Sequence, residues 1–266
     1  MSALPCALTI AGLDPSGGAG IAADLRAFHA AGAWGCAALA VLTVQSTAGL
    51  RSAHPVPKEQ LVGQVLELFR HQNLRAIKTG ALGTAEHVRT VGELVAQKSE
   101  LPLVVDPVLV ATLSHDGARL LDADGLVAMK ELCARATLVT PNVTEAEALT
   151  GIRIETVADA MEAAKAIVAL GARAAIVTGG HLEGDAVDAL ATRNETLELS
   201  APRTSGTPLH GSGCTFAALV AGRLAVMERP IDDAKLVEAV RWAKAKVTSW
   251  IENARYIGDG LRVLGG

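Results

Sequence analysis

Short apolar runs of strand length alternate with longer segments of helical period along the whole chain, and that alternation restricts the fold more than any other feature. Such an order builds repeated βα units, which close into a largely parallel sheet covered by helices on both faces. The pattern predicts strands over residues 7–11, 37–44, 76–79, 103–105, 138–140 and 174–178, each ending near a polar or glycine turn. It predicts helices over 20–31, 58–69, 85–97, 124–133, 144–149, 157–170, 214–227 and 232–252. The last opens on Ile231-Asp232-Asp233, acids that complement a helix dipole. Residues 51–56 and 185–199 read as antiparallel additions. No linker of proline, serine or charge divides the chain, so the expectation is one α/β domain over residues 1–266, a three-layer α/β/α sandwich with a central, mostly parallel sheet.

Composition agrees with that plan. Aromatic residues make up only 3% of a chain that is 50% hydrophobic, so the core must come from Ala, Val, Leu and Ile, which suits helices lying close on a sheet buried on both faces. A formal charge of −4 with scattered Lys and Arg leaves no basic stripe for a phosphodiester backbone, and nucleic acid is not an expected partner. Cys6, Cys36, Cys133 and Cys214 lie far apart without C-x-x-C spacing, which argues against a zinc site or a secreted disulfide framework. The apolar start carries Pro5 and no Lys or Arg, so it reads as a first buried strand rather than a signal peptide. No run approaches the ~20 apolar residues of a membrane span, and the expectation is a soluble, cytoplasmic protein without a membrane partner.

In an open parallel sheet, ligands bind beyond the carboxyl ends of the strands. The residues there are Asp14 with Gly17-Gly18, Gln45, Lys78 with Gly80, Asp106, Asn142 with Glu145, and Gly179-Gly180. Leu209-His210-Gly211-Ser212-Gly213-Cys214-Thr215-Phe216 adds two glycines and a hydroxyl before an apolar helical run. Unpaired amides at such a helix start can cradle a phosphate, and the positive dipole end would favour ionisation of the Cys214 thiol. An ordinary loop-to-helix junction with a small buried cysteine explains the same eight residues. Gly18-Ala19-Gly20-Ile21-Ala22-Ala23 fits a loose dinucleotide-binding pattern, but five residues separate it from the first strand and the second strand ends on Gln45 rather than an acid. Asp24 suits either a polar ligand or the start of a helix.

The Gln45 amide complements the edge of an aminopyrimidine, although a strand-end glutamine is also a common turn residue. Asp106, between buried strand residues, needs a cation, a metal or several N–H donors. Asn142 and Glu145 stand three apart at a helix start, which fits a capping box and equally fits oxygen ligands of hydrated Mg²⁺. His210 could orient phosphate or substrate, or only bond its neighbours.

Taken in order, residues 8–25, 41–47, 78–82, 104–110, 140–147, 177–182 and 210–215 resemble the hydroxymethylpyrimidine/phosphomethylpyrimidine kinases of the ribokinase-like superfamily. The most specific parts are Leu8-Thr9-Ile10-Ala11-Gly12, Asp14-Pro15-Ser16-Gly17-Gly18-Ala19-Gly20-Ile21, Ala23-Asp24-Leu25, and Cys214 where sugar kinases carry aspartate. The resemblance implies ATP- and Mg²⁺-dependent phosphorylation of the pyrimidine alcohol of thiamine biosynthesis, then of its monophosphate, by a homodimer. It implies a pyrimidine pocket of Gln45, Gly12, Asp24 and Val108. Asn142, Thr178, Gly180 and His210 fall on the ATP and phosphate side, with Asp106 and Glu145 toward Mg²⁺. The amides of Gly211, Ser212, Gly213 and Cys214 would stabilise the transferring group, and Cys214 would act as base. The chain departs from the pattern at Thr178, where many relatives have lysine, at Ala81 and Leu109, where methionine is common, and at Leu209, which replaces threonine. These departures keep open pyridoxal kinase activity and a catalytically weak pyrimidine-binding relative. A segment near 113–119 could cover the site.

Overall fold

The computed structural model describes residues 3–109, 123–179, 186–202 and 209–265. Their elements are β1 (Cys6–Leu13), α1 (Gly20–Ala30), β2 (Trp34–Ser46), β3 (Gly49–Pro55), α2 (Lys58–His71), β4 (Leu74–Thr79), α3 (Ala85–Ala96) and β5 (Leu103–Val105). They continue as α4 (Ala123–Cys133), β6 (Leu138–Val139), α5 (Val143–Thr150), α6 (Val157–Ala169), β7 (Ala174–Val177), β8 (Ala186–Thr192) and β9 (Thr196–Ala201). The last are β10 (Leu209–His210), α7 (Ser212–Val226), α8 (Asp233–Glu252) and β11 (Arg262–Val263). Nine strands form one sheet in the order β3-β2-β1-β4-β5-β6-β7-β8-β9, and β10 pairs with β11. The strands from β2 to β7 are parallel, while β3 on one edge and β8 and β9 on the other are antiparallel. The expected additions at 51–56 and 185–199 are these edge strands.

The sheet separates two apolar cores. Leu8, Ile10, Ile77 and Val105 face α2 to α6, while Ala7, Ala76, Val104 and Ile176 face α1, α7 and α8. The strand period of two sends successive residues to opposite cores, so strands buried on both sides have no polar face. Small residues let the helices lie close. At Gly222 of α7, an added Cβ would stand 2.8 Å from Ala31 and 3.2 Å from the Phe28 backbone, where α1 crosses. That approach explains how the chain fills its core with few aromatic rings.

From β1 the chain moves to β2 on one side and later returns to β4 on the other. Strand order therefore reverses at β1, and the crevice opens at the carboxyl ends of β1 and β4. Helix α7 lies across β1, β4 and β5 with its first turn at this crevice. No helix among the described residues is long and apolar enough to cross a membrane.

Candidate active site

The α7 start is held by backbone geometry rather than by a side-chain cap. Gly211 is the N-cap at φ 80°, and no side chain caps it. A Cβ at Gly211 would collide with the Gly18 carbonyl of the β1–α1 loop, so this glycine is required by both conformation and packing. Gly213 differs, because an added Cβ there would meet nothing within 4 Å. The amides of Ser212, Gly213 and Cys214 have no acceptor among the described residues and point from the positive end of the helix. The arrangement is an open anion cradle with room above Gly213.

Beneath it lies a buried charge cluster. Lys78 of β4 has no exposed surface, and its Nζ stands 3.1 and 2.9 Å from the two carboxylate oxygens of Asp24. Thr9 of β1, the register partner of Lys78, donates its hydroxyl to Asp24 Oδ2 at 2.6 Å. The Asp24 carboxylate is thus fully occupied and enclosed, as the counter-ion of Lys78 rather than a helix-start acid facing solvent. Burial pushes its pKa up against the pull of Lys78 and Thr9. Lys78 also lies 3.7 Å from Asp106 Oδ2, too far for a hydrogen bond but close enough for strong attraction. Desolvation opposes the Lys78 charge, yet the surrounding acids hold its pKa above the ordinary lysine value.

Cys214 lies close enough to Asp106 for the two groups to interact electrostatically. Burial and the Asp106 charge push its thiol well above the ordinary cysteine value, and Lys78 only partly opposes them. The expectation of a thiolate favoured by the helix start is therefore corrected: burial and the adjacent carboxylate push the thiol toward its neutral form.

On the next strand ends, the Asn142–Glu145 capping box forms in full, with the Glu145 N–H donating to Asn142 Oδ1 at 2.9 Å and the Asn142 N–H to Glu145 Oε2 at 3.0 Å. Burial, then the Asp106 charge, raises the Glu145 carboxyl to about 8 despite backbone bonds from Asn142 and Leu109. Asp106 Oδ2 is buried without a hydrogen-bond partner among the described residues. Two crowded carboxylates, one with a free oxygen, fit Mg²⁺, which takes one or two carboxylates and completes its shell with water and phosphate. Among the described residues no three His, Cys, Asp or Glu side chains gather into a metal cage.

Thr178 bridges to Asn142, its N–H donating to the Pro141 carbonyl at 3.0 Å, so these two strand ends are joined. The next residue, Gly179, donates to Asp188 Oδ1 at 3.0 Å, and Asp188 Oδ2 takes an ion pair from Lys244 of α8 at 2.7 Å. A Cβ at Gly179 would collide with the Val187 carbonyl. Sequence reasoning missed Asp188 and Lys244, although an acid inside the apolar run Ala186-Val187-Asp188-Ala189-Leu190 gave the same signal as Asp106. Gly180 and residues 113–119 lie outside the described residues.

At the other end of the crevice, His210 Nε2 meets Asp14 Oδ2 at 2.6 Å, and the Gln45 carboxamide stands 3.3 Å from the same nitrogen. Burial raises the Asp14 pKa, but bonds from His210 and Ser16 outweigh it and leave the carboxyl below its ordinary value. His210 Nδ1 is buried without a partner among the described residues. Gln45 sits inside β2, opposite Leu50 of β3, because that strand runs further than its periodicity predicts. Gly12 follows a register shift in β1 and faces Val41 and Ala81, while the Val108 N–H donates to the Asp106 carbonyl at 2.9 Å.

A mostly parallel α/β sandwich whose strand-order reversal faces an open helix start defines a ribokinase-like phosphotransferase. The chain belongs to the phosphomethylpyrimidine kinase family, whose model matches residues 14–264. It is 40% identical over 258 residues to the hydroxymethylpyrimidine/phosphomethylpyrimidine kinase of Streptomyces coelicolor, covering 97% of this chain and 92% of that one. It is 36% identical to the Haemophilus influenzae kinase of the same name, covering 98% and 96%. Among solved structures, Staphylococcus aureus pyridoxal kinase with AMP-PCP and pyridoxal superposes at TM-score 0.87 with 31% identity, covering 99% of this chain and 94% of that one. Phosphomethylpyrimidine kinase from Clostridium difficile superposes at 0.78 with 33% identity, covering 92% and 99%.

Proposed function

We propose that this chain transfers the γ-phosphoryl group of ATP to 4-amino-5-hydroxymethyl-2-methylpyrimidine and then to its monophosphate, supplying the diphosphate for thiamine biosynthesis. It acts as one catalytic domain, in a cytoplasmic homodimer. The observation that carries this reading is the α7 start, where three unengaged amides stand beside the Cys214–Asp106 pair. Phosphoryl transfer asks mainly for positioning and for donors aimed at developing charge, which preorganised amides supply.

Gln45 reads the aminopyrimidine edge, with Gly12 and Val108 lining the pocket and Asp24 fixing its floor through Lys78. His210 ties this end to the cradle, since its own strand leads directly into Gly211. The substrate hydroxyl gives its proton to the Cys214 sulfur as the thiol proton passes to Asp106, so the base is the pair rather than a free thiolate. Asn142 and Thr178 face the nucleotide phosphates, and Gly180 is assigned to the same group by its place in the motif. Mg²⁺ carried with ATP, held by Glu145 and the free oxygen of Asp106, would neutralise the phosphate charge.

The test is product analysis with ATP, Mg²⁺ and each alcohol in turn, read by mass spectrometry. The proposal expects stoichiometric ADP with the mono- and then diphosphorylated pyrimidine. ADP without phosphorylated pyrimidine would defeat it. The pyridoxal kinase reading is favoured by the superposition on the pyridoxal-bound enzyme, and phosphorylation of pyridoxal at a higher kcat/KM than the pyrimidine would install it instead. No turnover of either alcohol, with pyrimidine binding retained, would mark a binding protein.

A further inference from the structure

On the outer side of the Asp14 turn lies a second cleft of about 480 Å³, between Ser16-Gly17, α1 and the segment after α8. It is lined by Arg26 and Arg255, has apolar walls from Ile257, Val263 and Leu264, and shows no acidic side chain among the described residues of its lining. Arg89, Arg153, Arg173 and Arg223 end on acids. Among the described residues, the side chains of Arg26 and Arg255 make neither an ion pair nor a hydrogen bond. The Arg26 guanidinium lies over the turn, with Nη1 3.3 Å from where a Gly17 Cβ would stand. Two guanidinium groups in one cleft, neither paired with an acid among the described residues, make a local anion site on a chain of net charge −4. Planar forks of N–H donors suit phosphate, and the apolar walls suit a small organic body attached to it.

The cleft shares two walls with the Asp14–His210–Gln45 cluster. Ser16 donates its N–H and its hydroxyl to Asp14 Oδ1 at 2.9 and 2.8 Å. Val263 pairs with His210 between β11 and β10, and its Cγ1 stands 2.9 Å from where a Gly18 Cβ would be. An occupant that moves the Ser16 turn or Val263 therefore bears on Asp14 and His210 from behind.

We propose that this cleft binds a phosphate dianion, free or as the monoester of a small organic molecule, and that its occupation changes the affinity of the pyrimidine end. The binding half stands on the cleft alone, whereas the coupling half rests on the proposed kinase function. The test uses the full chain and the double variant R26Q/R255Q, with the catalytic cradle filled by a non-hydrolysable ATP analogue and Mg²⁺. Both arginines are exposed, so the variant is expected to fold. Inorganic phosphate and phenyl phosphate are titrated by calorimetry at constant ionic strength. The proposal expects one saturable site whose affinity falls at least about tenfold in the variant, the loss of a charge-assisted bond. Tighter phenyl phosphate would identify an ester as the ligand, and equal affinity would identify free phosphate. Absence of saturable binding, or equal binding in both proteins, would overturn the site. Phosphate should also shift the pyrimidine KM of the wild type by about threefold and leave that of the variant unmoved, a coupling within the ordinary range for linked sites. Binding without such a shift would overturn the coupling. Calorimetry needs no turnover, so a failed kinase assay would leave the binding result readable.

Discussion

A lysine without exposed surface is tolerable only where its charge is matched, and Lys78 is matched by Asp24 at 2.9 Å and Asp106 at 3.7 Å. The Asp106 charge in turn acts on the Cys214 thiol and on Glu145, so four ionisable groups gather around a single lysine. Glu145 bears the cost most plainly. Burial and the Asp106 charge push its carboxyl from the ordinary 4.5 up to about 8 in the fold, so the folded state binds the proton more tightly than the unfolded chain. Stability should therefore fall as pH rises from about 4.5 to about 8 and level off above that range. Glu145→Gln keeps a capping-box partner for Asn142 and removes the titration. Its Tm should exceed that of the wild type by roughly 5 °C at pH 8.5 and by little at pH 5, while Mg²⁺-dependent turnover drops. Thermal melts at the two pH values check the sign, and an equal Tm at pH 8.5 would contradict it. Asp106 was legible from sequence because an acid inside an apolar run must find a partner. The upward push on the Cys214 thiol was not legible, since it depends in part on a carboxylate more than a hundred positions away in the chain.

Two glycines two residues apart in one motif have different reasons to be there. Gly211 satisfies a left-handed backbone and the Gly18 contact, whereas Gly213 faces open space above the cradle. Gly211→Ala should lower Tm by roughly 5 °C through strain and collision. Gly213→Ala should leave Tm equal or slightly higher, because alanine favours a helix by up to about 1 kcal/mol, yet cut kcat at least about tenfold by standing where the phosphate approaches. Parallel melts and initial rates separate the two, and a normal kcat in Gly213→Ala would remove the ligand from that position. Helix starts such as Asn142 with Glu145 were legible because capping chemistry is local. The β10–β11 pair was not legible, because strands of two residues carry no period. Asp188 escaped because its strand read as an antiparallel addition to the fold rather than as support for the Gly179 turn.

Across the whole molecule, the α/β order and the parallel sheet followed from alternation alone, yet periodicity could not say which strand ends meet across the crevice. The sheet order answers it, with β2 carrying Gln45 on one side of β1 and β7 leading to Gly179 four positions away on the other. Among the described residues the two ends share no side-chain partner, since Gln45 works through His210 and Gly179 through Asp188 and Lys244. Separation of that kind predicts independent energetics. Gln45→Ala should raise the pyrimidine KM about tenfold and leave the ATP KM within about twofold, the loss of one buried polar contact. Asp188→Ala with Lys244→Met removes the buried pair together and avoids a lone cation. It should raise the ATP KM about tenfold and spare the pyrimidine KM, because the Gly179 N–H loses its acceptor. In the combined variant the two losses in kcat/KM should multiply to within about twofold. Steady-state kinetics with each substrate varied at saturation of the other checks this, and a combined loss well short of the product would mean that α7 couples the ends rather than merely spanning them.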